Sequence, residues 1–328
     1  MGLADIIGHH RQIQTLRLAL AKRRLHHAYL FIGPEGVGKR TLALALAKAI
    51  HCSEVADDFC GRCVNCARVQ DGNHPDVRFI EPLSGKKEIS IQQIREMEKQ
   101  LNFRSFSGEK KIAILDPATL MNLSSQNALL KTLEEPPQDS LLILVATSTG
   151  VLLPTLRSRC LRLAFGPLQR DLLSSYLLSR KGMKQQEAEL LSAMAMGSLG
   201  TALDIDSEEL REKRELWLEL LSSLKAGDCR AAIATAETLA NSRDDCLKFL
   251  RWAESWYRDL LIHAVRQDSA GLINLDMLAR IEQQSSNVRL EHILWSIAQT
   301  ADAAARIQRN LNRRMVLENL LLTVSGER

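Results

Sequence analysis

Hydrophobic and polar positions follow different patterns in the two halves of this chain. Up to about residue 166, short apolar runs alternate with segments of helical periodicity, which is the signature of a parallel α/β sheet. The runs that predict strands are residues 29–32, 77–81, 111–115, 141–146 and 160–165. We therefore expect the first half to fold around a five-stranded parallel sheet.

The second half shows helical patterns throughout, and no proline follows Pro167. Between residues 290 and 324, apolar side chains recur every three or four positions, which predicts one long helix with a single apolar stripe. A stripe of this kind is typical of a core or of a subunit interface. Its members are Leu290, Leu294, Ile297, Ala301, Ala304, Ile307, Leu311 and Met315.

Composition and charge limit the classes of protein to be considered. The chain has 328 residues, 45% hydrophobic and 25% charged, as expected for a globular protein of two or three domains. Its net charge of +4 is too small to indicate nucleic-acid binding by itself. Since no apolar run reaches membrane-spanning length and the N-terminus lacks the features of a signal peptide, we expect a cytoplasmic protein with no membrane contact.

The first candidate for chemistry is a glycine-rich segment between a predicted strand and a predicted helix. Residues 33–39, Gly-Pro-Glu-Gly-Val-Gly-Lys, fit the pattern of a phosphate-binding loop, or P-loop. Backbone N–H groups and the start of the helix would face phosphate, and the lysine would reach the outer phosphates. A glycine-rich turn without a ligand is the alternative. The residues expected to contact nucleotide are Gly33, Gly36, Gly38, Lys39, Arg40 and Thr41.

Two departures from the usual pattern argue against hydrolysis. Arg40 occupies the position of the Ser or Thr whose hydroxyl normally binds Mg²⁺. Asp116 ends an apolar strand, as does the acid that holds the Mg²⁺ shell, but Pro117 follows where hydrolysing proteins usually carry Glu. A helix cap or turn is the alternative role for Asp116. We predict binding of ATP or ADP, without Mg²⁺ in its usual position, and little or no ATPase activity.

Four of the seven cysteines lie close together in the sequence, at Cys52, Cys60, Cys63 and Cys66. In a cytoplasmic protein they are expected to be thiols or metal ligands rather than disulfides. Their spacing by short turns suits tetrahedral Zn²⁺, and four protein ligands leave no position for water. We therefore predict a structural zinc site, with an iron–sulfur cluster or free thiols as the alternatives.

Arg159 lies just before the last predicted strand, within Ser158-Arg159-Cys160. An arginine at such a junction is usually solvated or paired on the surface. A chain that lacks hydrolytic groups but keeps this arginine can instead offer it to the γ-phosphate of a neighbouring subunit, as an arginine finger.

Several longer segments together resemble the AAA+ clamp-loader subunits of bacterial DNA polymerase III. These are residues 27–34, which lead into the P-loop, 126–137 (Gln-Asn-Ala-Leu-Leu-Lys-Thr-Leu-Glu-Glu-Pro-Pro) and 156–160 (Leu-Arg-Ser-Arg-Cys). Residues 310–314 and 317–322 resemble the C-terminal domain of that family more loosely.

The resemblance implies an α/β AAA+ fold in three domains. Residues 1–166 would form a RecA-like parallel sheet with the P-loop and an inserted zinc knuckle at about residues 52–66. Residues 167–206 would form a small helical lid, and residues 207–328 an all-α collar for oligomerisation.

The resemblance also implies partners and roles for single residues. The partners are the ATP-hydrolysing gamma or tau subunits and the delta subunit in a hetero-pentamer that loads the sliding clamp onto primer-template DNA. Arg159 would be the finger in trans, and Thr147 would be the first nucleotide sensor. The second sensor position falls on Thr201, which cannot pair with phosphate. We expect a non-hydrolysing stator, with a motor subunit that uses Thr41 for Mg²⁺ or a stand-alone P-loop protein as alternatives.

Overall fold

The computed structural model of the chain describes residues 2–107, 109–224, 227–286, 288–309 and 311–326, without the side chains of Ser207 and Gly326. Asn310, in the C-terminal motif, lies outside the described residues. The chain divides into two compact units, Met1–Tyr176 with Met196–Thr201 and Leu177–Ala195 with Ala202–Arg328. Among the described helices, none combines the length and the apolar character that crossing a membrane requires.

The first unit is built on a parallel sheet of five strands. The strand order is β2-β3-β4-β1-β5, so β1 lies between β4 and β5. All five strands predicted from the sequence are present, and their ends differ by at most one residue from the predicted ones. The strands are β1 (Ala28–Ile32), β2 (Val77–Ile80), β3 (Lys111–Leu115), β4 (Ser140–Ala146) and β5 (Leu161–Ala164).

Helices cover both faces of this sheet because its strands are apolar on both sides. Tyr29 and Phe31 of β1 point into one core, and Leu30 and Ile32 point into the other. Helices α1 (His10–Ala21), α2 (Lys39–His51) and α3 (Val64–Gln70) pack on the first face. Helices α4 (Ile91–Asn102), α5 (Leu123–Glu134) and the short α6 (Pro154–Arg157) pack on the second.

Parallel strands bring their carboxyl ends to one edge of the sheet, where ligands of such folds usually bind. Ile32 pairs with Ala146 of β4 and Ala164 of β5, and Ile80 pairs with Leu115. The P-loop, Asp116 and Thr147 directly follow β1, β3 and β4, so they share this edge.

The rest of the described chain is helical, as its pattern predicts. Trp217, Phe249, Trp252 and Trp256 form the centre of the second unit, with neighbouring ring centroids 5.5–6.2 Å apart. The helices are α7 (Arg170–Lys181), α8 (Gln185–Met194), α9 (Leu199–Asp204), α10 (Ser207–Ser223), α11 (Cys229–Leu239), α12 (Arg243–Arg266), α13 (Leu278–Ser285), α14 (Leu290–Gln308) and α15 (Arg313–Gly326).

The prediction of one long helix from 290 to 324 is wrong. The segment forms α14 and α15, which pack against each other. The break comes where Asn312 caps the second helix, because its side-chain oxygen accepts hydrogen bonds from the amides of Arg314 and Met315. A side-chain cap of this kind starts a new helix rather than continuing the old one.

The predicted apolar stripe of α14 is largely exposed, so it does not form the core of the second unit, and a subunit interface stays a prediction. The buried face carries Ser296 and Thr300 between Ile293 and Ile307. The two hydroxyls donate to the carbonyls of residues four positions earlier, at 2.8 and 2.7 Å, so their burial leaves no unpaired polar group. Leu294 is consequently 54% exposed, and Leu290 is 45% exposed.

Candidate functional site

The P-loop lies between β1 and α2 at the carboxyl edge of the sheet, in the predicted strand–loop–helix arrangement. Two of its glycines are required by close contacts. A Cβ atom at Gly33 would lie 2.1 Å from the carbonyl oxygen of Phe165. At Gly36, which has a φ of +70°, a Cβ atom would lie 2.2 Å from the hydroxyl oxygen of Ser198. The loop is therefore held between Phe165, which directly follows β5, and the segment around residue 198.

Lys39 is the first residue of α2, and its side chain is buried against the loop itself. Its ammonium group donates to the carbonyl of Gly33 at 2.7 Å and to that of Pro34. Burial lowers the pKa of Lys39, and the carboxylates of Asp116 and Glu35 oppose this shift. The lysine thus brings a positive charge into the concave side of the loop, where phosphate would bind.

Arg40 follows on α2 and turns toward the neighbouring strands. Its Nη1 forms an ion pair with Glu81 and lies 3.6 Å from a carboxylate oxygen of Asp116. The guanidinium carbon is 5.5 Å from the ring centroid of Phe79. Burial raises the pKa of Asp116, while Arg40 opposes the shift. An arginine therefore neutralises the carboxylate that was expected to hold Mg²⁺.

Glu81 and Phe79 were not among the site residues predicted from the sequence. The sequence indicates only their location: Phe79 lies in a predicted strand and Glu81 at its end, and the carboxyl end of that strand is expected at the sheet edge. Their contact with Arg40 spans about forty residues of sequence and could not be read from local pattern.

Gly200 approaches the P-loop from the segment Met196–Thr201, which belongs to the first unit. Its amide donates to the carbonyl of Gly36 at 2.9 Å. Ser198 accepts hydrogen bonds from the amide and hydroxyl of Thr201, at 3.1 and 2.8 Å. The turn that was expected to carry the second sensor therefore contacts the P-loop directly, through its backbone.

His9 is a second contact to the loop that the sequence did not reveal. Its Nε2 lies 2.8 Å from the carbonyl oxygen of Val37, and its ring packs edge-on against Phe165 at 4.8 Å. Burial lowers the pKa of His9. The loop is thus also held by the imidazole of His9.

The two threonines of the predicted site are both exposed. Thr41 lies in the first turn of α2, and Thr147 directly follows β4. Thr147 is at the sheet edge where the first sensor is expected.

Arg159 lies between α6 and β5, and about a third of its side chain is exposed. Its Nη2 pairs with Glu134 at 2.7 Å, and its Nη1 donates to the carbonyl of Thr155 at 2.8 Å. The guanidinium group is thus held at the end of α5 with access to solvent. An ion pair as exposed as this one contributes about 0–1 kcal/mol, so little free energy opposes its exchange for another anion.

The four predicted cysteine ligands come together around the loop that joins α2 to α3, with Cys66 in the first turn of α3. Their sulfur atoms all lie within 4.8 Å of one another. Amide groups point at three of them: that of Cys60 donates to Cys52 at 3.4 Å, and that of Cys63 to Cys60 at 3.2 Å. The amide of Cys66 donates to Cys63 at 3.4 Å.

This donor set fits a tetrahedral thiolate-binding metal. Burial raises the pKa of Cys66 to about 12, and the neighbouring Cys63 and Cys52 add to the shift. Four thiolates this close repel one another unless a cation compensates their charge, and a divalent ion such as Zn²⁺ would supply that charge. Cys63 and Cys66 are buried in the same core as α2.

Comparison with known proteins covers almost the whole chain. Residues 8–169 match a family model described as DNA polymerase III, delta subunit, and residues 208–326 match one described as its C-terminal part. A Pseudomonas aeruginosa protein named DNA polymerase III subunit delta′ is 34% identical over 318 residues, 94% of this chain and 95% of that protein. A Bacillus subtilis protein of the same name is 30% identical over 95% of this chain and 94% of its own length.

The similarity extends to a second kind of subunit. A Haemophilus influenzae protein named DNA polymerase III subunit tau/gamma is 33% identical over 213 residues. That match covers 63% of this chain and 30% of the longer protein.

Proposed function

The chain belongs to the family of DNA polymerase III delta-prime subunits, and we propose that it is the non-hydrolysing stator of a clamp loader. In this role it does not turn over ATP itself. It contributes an arginine finger to the ATP site of an adjoining motor subunit during loading of a sliding clamp onto primed DNA.

The pairing of Arg40 with Asp116 is the observation that carries the proposal. Hydrolysis in P-loop proteins needs Mg²⁺ bound by a hydroxyl and an acid, and a further group that orients the attacking water. Here Arg40 replaces the residue that would provide the hydroxyl, and its Nη1 lies 3.6 Å from a carboxylate oxygen of Asp116. Pro117 follows that acid. Three requirements for hydrolysis are therefore altered together.

Arg159 supports the second part of the proposal. A finger has to be reachable by another subunit and has to carry a guanidinium that can exchange its partner for a phosphate. Arg159 is partly exposed and paired with Glu134 in a bond that contributes little. Its planar fork matches the oxygens of a phosphoryl group.

We assign the partners by family. The tau and gamma subunits, which share sequence with this chain, would be the motors, and a delta subunit would complete a hetero-pentamer. Contact with the clamp and with primer-template DNA would occur through this complex. Residues 1–166 would serve as the AAA+ domain with structural zinc, 167–206 as the lid and 207–328 as the collar.

The exposed apolar face of α14 supports a collar interface. Leu290 and Leu294 project from the second unit with about half of their side chains exposed. An apolar stripe on a helix is covered in many assemblies by a helix of the neighbouring subunit.

A charge on this stripe is expected to impair assembly. Leu294→Asp should weaken association with the motor and delta subunits about ten- to hundredfold, because a carboxylate loses hydration in an apolar contact. Since Leu294 is exposed, the variant should fold like the wild type. Analytical ultracentrifugation of the mixed subunits measures the effect. Val265→Asp, at a 65% exposed position on α12, is the control, and equal assembly of both variants would contradict the interface.

ATP hydrolysis by the isolated chain tests the proposal directly. We expect no turnover above background in the purified protein, with or without primed DNA. Steady turnover that disappears in a Lys39→Ala variant would refute the stator and identify a motor.

A further inference from the structure

Arg40 places a positively charged side chain where P-loop proteins usually have an uncharged hydroxyl residue. The residue after the P-loop lysine normally contributes a hydroxyl to Mg²⁺, and an acid at the end of a nearby strand holds the same ion. In this chain Arg40 and Asp116 fill these two positions and lie 3.6 Å apart. The guanidinium is therefore next to the carboxylate to which a metal would bind.

The guanidinium is anchored at one end only. Both ion pairs, with Glu81 and with Asp116, use the same terminal nitrogen, Nη1. The face of the group packs over Phe79 at 5.5 Å. Among the described residues its remaining N–H donors have no partner, and half of the side chain is exposed. Arg40 is thus held in place while it keeps donors for an added anion.

The local charges also disfavour a divalent ion. Lys39 and Arg40 offset two of the three nearby carboxylates, those of Glu35, Glu81 and Asp116, so less negative charge is left to attract Mg²⁺. A metal at Asp116 would have to approach a fixed guanidinium within a few ångströms, where like charges repel strongly. A polyphosphate, in contrast, would meet two cations and the backbone amides of the P-loop.

We propose that Arg40 is a built-in countercation, so that this P-loop binds the polyphosphate of ADP or ATP without a divalent metal. The inference rests on the proposed stator role together with the nucleotide binding predicted from the P-loop sequence, and it specifies the chemistry of that binding. Lys39 contacts phosphate as a point charge, and Arg40 adds a planar fork that can bind two oxygens. Glu81 and Phe79 act as positioning residues for that fork.

Equilibrium binding of a fluorescent ADP analogue, in EDTA and in Mg²⁺, tests the inference. For the wild-type chain we expect the two dissociation constants to agree within about twofold, a difference of less than 0.5 kcal/mol. Arg40→Thr should bind about ten- to hundredfold more weakly in EDTA, as expected for loss of a charge-assisted hydrogen bond. Mg²⁺ should then restore affinity, because the new hydroxyl and Asp116 can hold the ion.

Two further variants separate charge from folding. Arg40→Lys keeps the positive charge and should remain independent of Mg²⁺. Arg17→Thr removes a guanidinium group at an exposed position on α1, and it should bind the ADP analogue like the wild type in both buffers. Electron paramagnetic resonance with Mn²⁺ gives a second measurement: the Arg40→Thr complex with ADP should hold one ion, and the wild-type complex none.

Wild-type binding that requires Mg²⁺ would overturn the inference, and so would absence of nucleotide binding in both buffers. Either result leaves the stator intact, since that role is tested by Arg159-dependent turnover in the partner. Conversely, turnover by the isolated chain would refute the stator without deciding how Arg40 acts on bound ADP.

Discussion

Replacement of Arg159 by alanine is expected to lower ATP turnover at the adjoining motor site about 10³- to 10⁵-fold, the usual contribution of an arginine finger. The reason is loss of a positive charge that stabilises the negative charge on the transferred phosphoryl group. The variant should fold normally, because the pair it breaks with Glu134 is exposed. Turnover should be measured in a reconstituted loader, with clamp and primed DNA, in which only the adjoining motor keeps its P-loop lysine.

Two variants make this result specific. Arg159→Lys keeps the positive charge but loses the planar guanidinium that can bind two phosphate oxygens. We therefore expect its ATP turnover to lie between that of the wild type and that of Arg159→Ala. Arg162→Ala removes an exposed arginine three residues away on β5 and should leave turnover unchanged. If the Arg159→Ala loader turned over ATP like the wild type, Arg159 would be an ordinary surface residue.

Loss of one cysteine ligand is expected to destabilise the first unit severely. In Cys60→Ser the zinc content should fall from one ion per chain to almost none. Structural zinc contributes about 10–16 kcal/mol of apparent binding free energy in small modules, comparable with the whole stability of a domain. Even a loss of 4 kcal/mol should lower the melting temperature by about 8–16 °C in a unit of this size.

Metal analysis by mass spectrometry and thermal unfolding by circular dichroism measure this effect. Hydrogen exchange of residues 52–70 should locate it, because Cys63 and Cys66 are part of the core that includes α2. Cys229→Ser is the matched control: its thiol is exposed in the second unit, so zinc content and melting temperature should not change. Wild-type protein that contains iron, or no metal at all, would contradict the zinc assignment.

The parts of the fold that follow from local pattern were predicted well. Each buried strand is a run of apolar residues long enough to cross the sheet, so its position is set by residues next to one another in sequence. The P-loop and the four-cysteine cluster are likewise formed by residues close together in sequence, so their spacing alone was enough to predict them.

The face of α14 shows what pattern alone left open. The stripe that includes Leu290 and Leu294 predicted either a core or a subunit interface, because helix periodicity indicates only that a helix has faces, and not which face packs within the chain. Small residues such as Ser296 and Thr300 can be buried because they satisfy their hydroxyls within the helix. That choice depends on the packing of α12 against α14, which lies outside the segment itself.

The sequence by itself determined the parallel α/β unit, the cysteine cluster and the two anomalies at Arg40 and Pro117. The tertiary structure decided what those anomalies mean. Only the fold brings Arg40 to Glu81 and Asp116, Gly200 to Gly36, and Arg159 to Glu134. Local interactions specify strands, helices and turns, whereas the electrostatics of a site depend on charges that chain folding assembles from distant positions.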